Sequence, residues 1–343
     1  MLTKPKSKLL AALIAVTALL ALPAAAQASL AYVKGTLNQS VYVANDDGTG
    51  AHKVSSGYSP HISPDGASVA YFHEGPGHAA ELKLAPVSGG AGKTLLPAWR
   101  ETFYLAFSPD SATIAALSGA ELGKRKLVLI TVATGAQKVI ASGYFSGFSF
   151  SPAGDELVYA KANTENYPAK SDVYRVPTAG GKPVALTQDH KSTDPLWGPT
   201  GKIVFVKQLD ADKRKYGPKN ELYLMNEQGK QVKRLTHTNV DPLLQGLYPT
   251  DWAADGERIL AEFEGQDTSY AVAVNALTGA QKPILKKEEM GFVATALSAD
   301  GKTVLGYEGG FDPGNAHNVG TVPFSGGKVK VLVKNADEPD WSR

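Results

Sequence analysis

After residue 28 the apolar and β-branched residues of this chain come in short runs, each closed by a polar turn. Ser68-Val69-Ala70-Tyr71, Glu156-Leu157-Val158-Tyr159 and Ile203-Val204-Phe205-Val206 are three such runs. None is long enough or spaced for an amphipathic helix, and their β-branched content predicts strands. The turns also recur. An apolar or aromatic residue precedes Ser-Pro-Asp-Gly at Ser63-Pro64-Asp65-Gly66, and altered copies begin at Ser108, Ser151, Gly198, Ala253, Ser298 and Ser342. The steps between these positions are 45, 43, 47, 55, 45 and 44 residues. Pro presets φ, and Asp or Gly accepts the left-handed region, so each tetrad reverses the chain between two strands.

Each repeat continues with a third run, such as 127–130 or 221–225, then a Gly-rich hairpin turn and a short fourth run, such as 232–236. Four hairpin-linked strands at this period predict an all-β fold, a seven-bladed β-propeller of four-stranded antiparallel blades spanning 29–343. The N-terminal repeat lacks its first strand, and the segment ending at Trp341 supplies only a first strand. The expectation is that the C-terminal strand completes the N-terminal blade and closes the ring, which removes an open edge. An unclosed ring of six full blades is the fallback.

The repeat of aromatic-Ser-Pro-Asp-Gly, then an Ile/Val-Ala-Tyr/Phe strand, an Ile/Leu-Tyr strand, Gly-Gly and Leu-Thr resembles the TolB-type, WD40-like Pro-Asp (PD40) propeller family over residues 30–343. The resemblance implies the architecture. This chain has no residues for the α/β domain that precedes the propeller in TolB itself, and none for the hydrolase domain of peptidases with a related propeller.

Composition changes the picture at the N-terminus. Lys4, Lys6 and Lys8 precede an uncharged apolar run over 9–22, and Ala26-Gln27-Ala28 offers a small-x-small cleavage site. Residues 1–28 are read as a signal peptide and the protein as exported, periplasmic or extracellular, with no membrane span in the mature form. Removing that segment takes three lysines and turns the formal charge of +2 into −1, so the basic excess belongs to the export segment and is no evidence for nucleic acid. Zero cysteines means that no disulfide staples the fold.

Candidate chemistry is sparse. Nucleophile-elbow, Walker, dinucleotide-binding and His-Glu-x-x-His motifs are all absent, so no catalytic residue, metal or cofactor is read. The loops between second and third strands, and between repeats, hold nearly all the insertions: 72–80, 96–102, 161–170, 207–220, 237–247 and 307–318. Function on a rigid scaffold concentrates in such loops. Trp99, Tyr167, Lys213, Arg214, Tyr216, Tyr248 and Phe311 are the candidate binding residues there. His61, Asp194, Asp251 and Asp340 are polar groups of first strands expected to face a central channel, with His61 and Asp340 in adjacent blades. The main functional expectation is a non-catalytic binding protein that engages a protein or cell-envelope partner through the long-loop face. The alternative is a metal-dependent propeller lyase, or a glycan or small-molecule binder, using the channel mouth.

Overall fold

The computed structural model describes residues 29–342 apart from 37, 76–79, 91, 100–103, 120–123, 165–169, 210–218, 239–245, 266–268, 286–291 and 309–316. The export segment read over 1–28 lies outside the described residues. Every named element is a β-strand. In chain order they are β1 (Ser29–Lys34), β2 (Ser40–Asn45), β3 (His52–Ser56), β4 (Tyr58–Ile62), β5 (Ser68–Glu74), β6 (Ala80–Pro86), β7 (Lys93–Trp99), β8 (Leu105–Phe107) and β9 (Thr113–Ser118). Then come β10 (Arg125–Thr131), β11 (Gln137–Phe150), β12 (Glu156–Ala162), β13 (Ser171–Pro177), β14 (Val184–Ala185), β15 (Ser192–Trp197), β16 (Lys202–Leu209), β17 (Lys219–Asn226) and β18 (Lys233–Arg234). The last are β19 (Gly246–Trp252), β20 (Arg258–Glu264), β21 (Ser269–Asn275), β22 (Gln281–Pro283), β23 (Phe292–Leu297), β24 (Thr303–Glu308), β25 (Asn318–Pro323), β26 (Lys330–Lys334) and β27 (Asp337–Trp341).

Hydrogen bonding gathers these strands into five sheets rather than one sheet per repeat. Three are four-stranded: β27-β1-β2-β3, β4-β5-β6-β7 and β23-β24-β25-β26. A seven-stranded sheet runs from β8 to β14, because β11 ends one repeat against β10 and begins the next against β12. The eight-stranded sheet unites β15 to β22 through a single parallel bridge, Asn220 to Gly246. The C-terminal strand sits where the sequence puts it. β27 pairs antiparallel with β1, Leu30 opposite Trp341 and Ala31 opposite Asp340.

The tetrads fold as expected. The Gly66 amide donates to the Ser63 carbonyl at 2.8 Å, and the Ser63 hydroxyl donates to the Asp65 carboxylate at 2.5 Å. Ser108 with Asp110 and Ser298 with Asp300 repeat this at 2.5 and 2.7 Å. The hydroxyl hydrogen bonds from Ser108 and Ser298 hold the Asp110 and Asp300 carboxyls below the usual carboxylate range. At Gly198 the Ser is missing for a steric reason: a Cβ there would lie 2.6 Å from the ring of Trp252.

The core lies between successive sheets. Strand residues alternate in period two, so one face of each strand set meets the preceding set and the other meets the following one. Phe72, Leu82 and Leu96 pack with Ile114, Val128 and Ile130, while Val41, Val43 and Val54 pack with Val69, Tyr71 and Ala85. Leu305, Val319 and Val333 near the C-terminus share an apolar layer with Leu30 and Tyr32 at the beginning. First strands of neighbouring repeats approach one another, as the tie from the Ile62 amide to Asp340 shows.

Candidate functional site: the two ends of the inner channel

The first strands of successive repeats are β4, β8, the second half of β11, β15, β19, β23 and β27, and each leads into a tetrad or its counterpart. One level, two residues before the tetrad, is a belt of ties between neighbouring strands. The Ile62 amide donates to Asp340 Oδ2 at 2.9 Å, the Trp197 amide to Ser149 Oγ at 2.7 Å, and the Leu297 amide to Asp251 Oδ2 at 2.6 Å. Asp251 Oδ1 also accepts from the Trp252 amide at 2.7 Å. Buried amides need acceptors, and these side chains supply them across the gap between blades. Asp251 and Asp340 are thus structural acceptors in the channel wall.

At the tetrad end the described residues form a pocket of about 390 Å³. Phe107, Phe150, Trp197 and Trp341 give it aromatic walls, and His61 and Asp340 give it a polar side. His61 Nδ1 stands 3.9 Å from Asp340 Oδ2, and the His61 side chain keeps 36% of its exposure. Packing against the channel wall lowers the His61 pKa, and the Asp340 charge opposes that shift without reversing it. The imidazole is therefore neutral near pH 7 and can accept a proton or a hydrogen bond. No Lys or Arg lines the pocket.

The long-loop end is acidic. Asp194, Glu262, Glu264 and Glu338 all have raised pKa values, burial being the largest cause, and Asp194 is pushed up to about 7. Glu264 acts on Asp194 and Glu262, and both Asp194 and Glu264 suppress ionisation of Tyr104 and Tyr248. Glu338 Oε2 accepts from the Ser59 amide at 2.6 Å. Asp194 and Glu338 adopt left-handed backbone at φ 46° and 48°, an uncommon conformation for a non-glycine residue. Each sits where an inner strand slips register against its neighbour.

The structure brings His61 and Asp340 together at the tetrad end, puts Asp194 and Tyr248 at the other, and leaves Asp251 in the wall between. Trp99 ends β7. Tyr167, Lys213, Arg214, Tyr216 and Phe311 lie outside the described residues. Lys207 and Lys219, at the ends of the 207–220 insertion, are engaged in ion pairs, Lys207 with Asp189 at 2.9 Å and Lys219 with the buried Glu221 at 3.4 Å. Two further histidines are held by neighbours, His190 by Asp172 and His317 by Asp337, both at 2.6 Å. Sequence reasoning missed Tyr104 and Glu262. Their signal is the end position of an inner or second strand, visible only once strand ends are known.

A divalent metal, as in a metal-dependent lyase, needs several ligand atoms at about 2.0–2.6 Å from one point. Among the described residues no three His, Cys, Asp or Glu come close enough to share an ion. The described donor set does not fit such a metal.

No family model matches the chain. A stretch of 115 residues is 30% identical to the "Uncharacterized peptidase YuxL" of Bacillus subtilis; it is 32% of this chain and 16% of that protein. The chain therefore spans about one sixth of the curated relative it matches. Among solved structures, the β-propeller domain of the Trilobed protease from Pyrococcus furiosus superposes with a TM-score of 0.65 at 16% identity, over 90% of this chain and 92% of that one. TolB from Acinetobacter baumannii gives 0.57 at 16% identity, over 92% and 83%. An oligogalacturonate lyase in complex with manganese gives 0.60 at 12% identity, over 89% and 83%.

These likenesses correct the main functional expectation. A non-catalytic partner-binding protein is not the reading they favour, because the matched propellers include parts of peptidases and a lyase. The misleading signal was loop length, which marks where a scaffold tolerates insertion and says nothing of chemistry. In architecture the chain is an all-β protein of the propeller type, with TolB among its structural neighbours.

Proposed function

We propose that this chain is a propeller of the enzymatic kind whose tetrad-end pocket holds a neutral glycan, with His61 as the proton acceptor. The observation that carries this reading is the pocket itself, aromatic on several sides with one imidazole and one carboxylate. Sugar rings present apolar C–H faces that stack on Phe and Trp, and their hydroxyls bond to groups such as His61 and Asp340. An acidic sugar fits less well. Asp340 repels a uronate, no cation lines the pocket, and β-elimination builds negative charge that an enzyme must neutralise. Under the same reading the ring has seven blades closed by β27 on β1, and residues 1–28 export it, so the glycan is met outside the cytoplasm.

The test is calorimetric titration of the full chain with neutral oligosaccharides and with a uronate oligomer of equal length. Binding of a neutral series that weakens at least about tenfold in Phe107→Ala, and turnover lost in His61→Asn, is the expected outcome. No binding up to about 10 mM, or preference for the uronate, overturns it.

A further inference from the structure

The belt of ties between first strands is incomplete beside the pocket. The Ser63 amide donates to the Ser68 carbonyl at 2.8 Å, Ser108 to Thr113 at 2.8 Å and Ser151 to Glu156 at 2.9 Å. These bonds make Ile62, Phe107 and Phe150, one residue earlier, non-hydrogen-bonded partners of Val69, Ile114 and Leu157. A residue in such a pair turns its own N–H away from the partner strand. For Ile62, Trp197 and Leu297 that proton goes to Asp340, Ser149 and Asp251, each two residues before the tetrad of the preceding repeat.

The same position ahead of Phe107 is His61, and ahead of Phe150 it is Ala106. Ala106 has no acceptor atom, and among the described residues no side chain takes the proton of either amide. Neither amide has a ladder neighbour on that side. β8 ends its sheet and pairs only with β9, and residues 144–150 of β11 pair with β12. His61, Ala106, Phe107 and Phe150 all line the pocket, so the room that a longer tie would fill belongs to the cavity. Two backbone donors on neighbouring strands are thus left for a ligand.

Resting on the glycan reading, we propose that the Phe107 and Phe150 amides bind the carbonyl oxygen of an acetamido group, so that the glycan is N-acetylated. Backbone N–H groups only donate, and a pair of them suits an oxygen that accepts twice. A carbonyl does so with two lone pairs, whereas a sugar hydroxyl must also place its own hydrogen. A carboxylate would accept equally, but the Asp340 charge on the same pocket repels it. The acetamido N–H finds His61 and Asp340 as acceptors there, which an ester acetyl could not use, and its methyl packs on the aromatic walls. An amide kept from water without an acceptor costs stability, and the bound carbonyl recovers that cost.

The experiment is calorimetric titration of the full chain with tri-N-acetylchitotriose and with cellotriose, which has the same linkage and no acetamido group. The acetylated sugar binds at least about tenfold tighter. Ala106→Ser gives Phe150 the hydroxyl tie that Ser149 gives Trp197, and it reduces that preference at least about threefold. In the parent chain carrying nitrogen-labelled phenylalanine, the Phe107 and Phe150 amide protons shift downfield with the acetylated sugar and stay put with cellotriose. That readout stands whether or not the variant folds. Equal binding of the two sugars, undiminished preference in a folded Ala106→Ser chain, or unmoved amides overturns the acetamido assignment and leaves the glycan pocket standing. Binding of neither sugar up to about 10 mM overturns both.

Discussion

Replacing Asp251 by Ala separates a structural acceptor from a ligand group. The carboxylate is 6% exposed and accepts from two buried amides, Leu297 on the neighbouring inner strand at 2.6 Å and Trp252 at 2.7 Å. Ala leaves both N–H groups without an acceptor in a place water reaches poorly. Hydrogen bonds to charged groups contribute about 1.5–3 kcal/mol each, so the loss is on the order of 3 kcal/mol even at the lower figure. For a chain of this size that is a fall in Tm of roughly 4–5 °C. Asp251→Ser is the informative companion, because Ser149 makes the same tie to Trp197 with one hydroxyl at 2.7 Å. It keeps one acceptor and should recover about half of the loss. Urea unfolding followed by tryptophan fluorescence measures both variants. An Ala variant within about 0.5 kcal/mol of the parent refutes the reasoning, since loss of either tie alone exceeds that. So does a Ser variant no better than Ala.

The remaining expectations concern pH and packing. Asp194, Glu262, Glu264 and Glu338 hold protons in the folded state at pH values where the unfolded chain has lost them, so their contribution to stability falls as pH rises above the unfolded carboxylate range, for Asp194 through about 7. Asp110 and Asp300 act oppositely, stabilising above their unfolded range and losing that contribution as pH falls through their depressed values. Melting temperature should peak on the acid side of neutrality, and Asp194→Asn should flatten its decline above pH 6; a parent curve still rising from pH 5 to pH 8 contradicts this. Gly198→Ser restores the residue found at 63, 108, 151 and 298, yet it should destabilise by about 1–3 kcal/mol, because the new Cβ meets the Trp252 ring. Denaturant midpoints that rise instead would show that the ring can move aside.

Local punctuation is legible in the chain from the start. Ser63, Asp65 and Gly66 make a turn wherever they occur, since the hydroxyl, the carboxylate and the left-handed glycine act within four residues. The pairing of Trp341 with Leu30 is legible too, because a missing strand at one end matches a surplus strand at the other. What pattern cannot reach is the geometry between repeats. Tyr104, Asp194, Tyr248 and Glu264 are far apart in sequence, and their meeting depends on register slips at Thr193/Leu196 and Pro249/Asp251 that hydrophobic alternation does not encode. The dual role of Asp340, a tie for Ile62 and a neighbour of His61, likewise needs the strands placed side by side. Long loops drew attention to one face, whereas the pocket formed by the described residues opens at the other, among Pro64, Pro109 and Trp197.

The strand from Gln137 to Phe150 has a mechanical consequence. Its first half pairs with Arg125–Ile130 of β10, and its second half pairs with β12, Phe148 opposite Tyr159. These two neighbours share one uninterrupted ribbon, so they should resist prising apart and lose amide protection together. A rearranged chain with new ends cut into that ribbon forfeits this rib, while cuts at the tight reversals spare it.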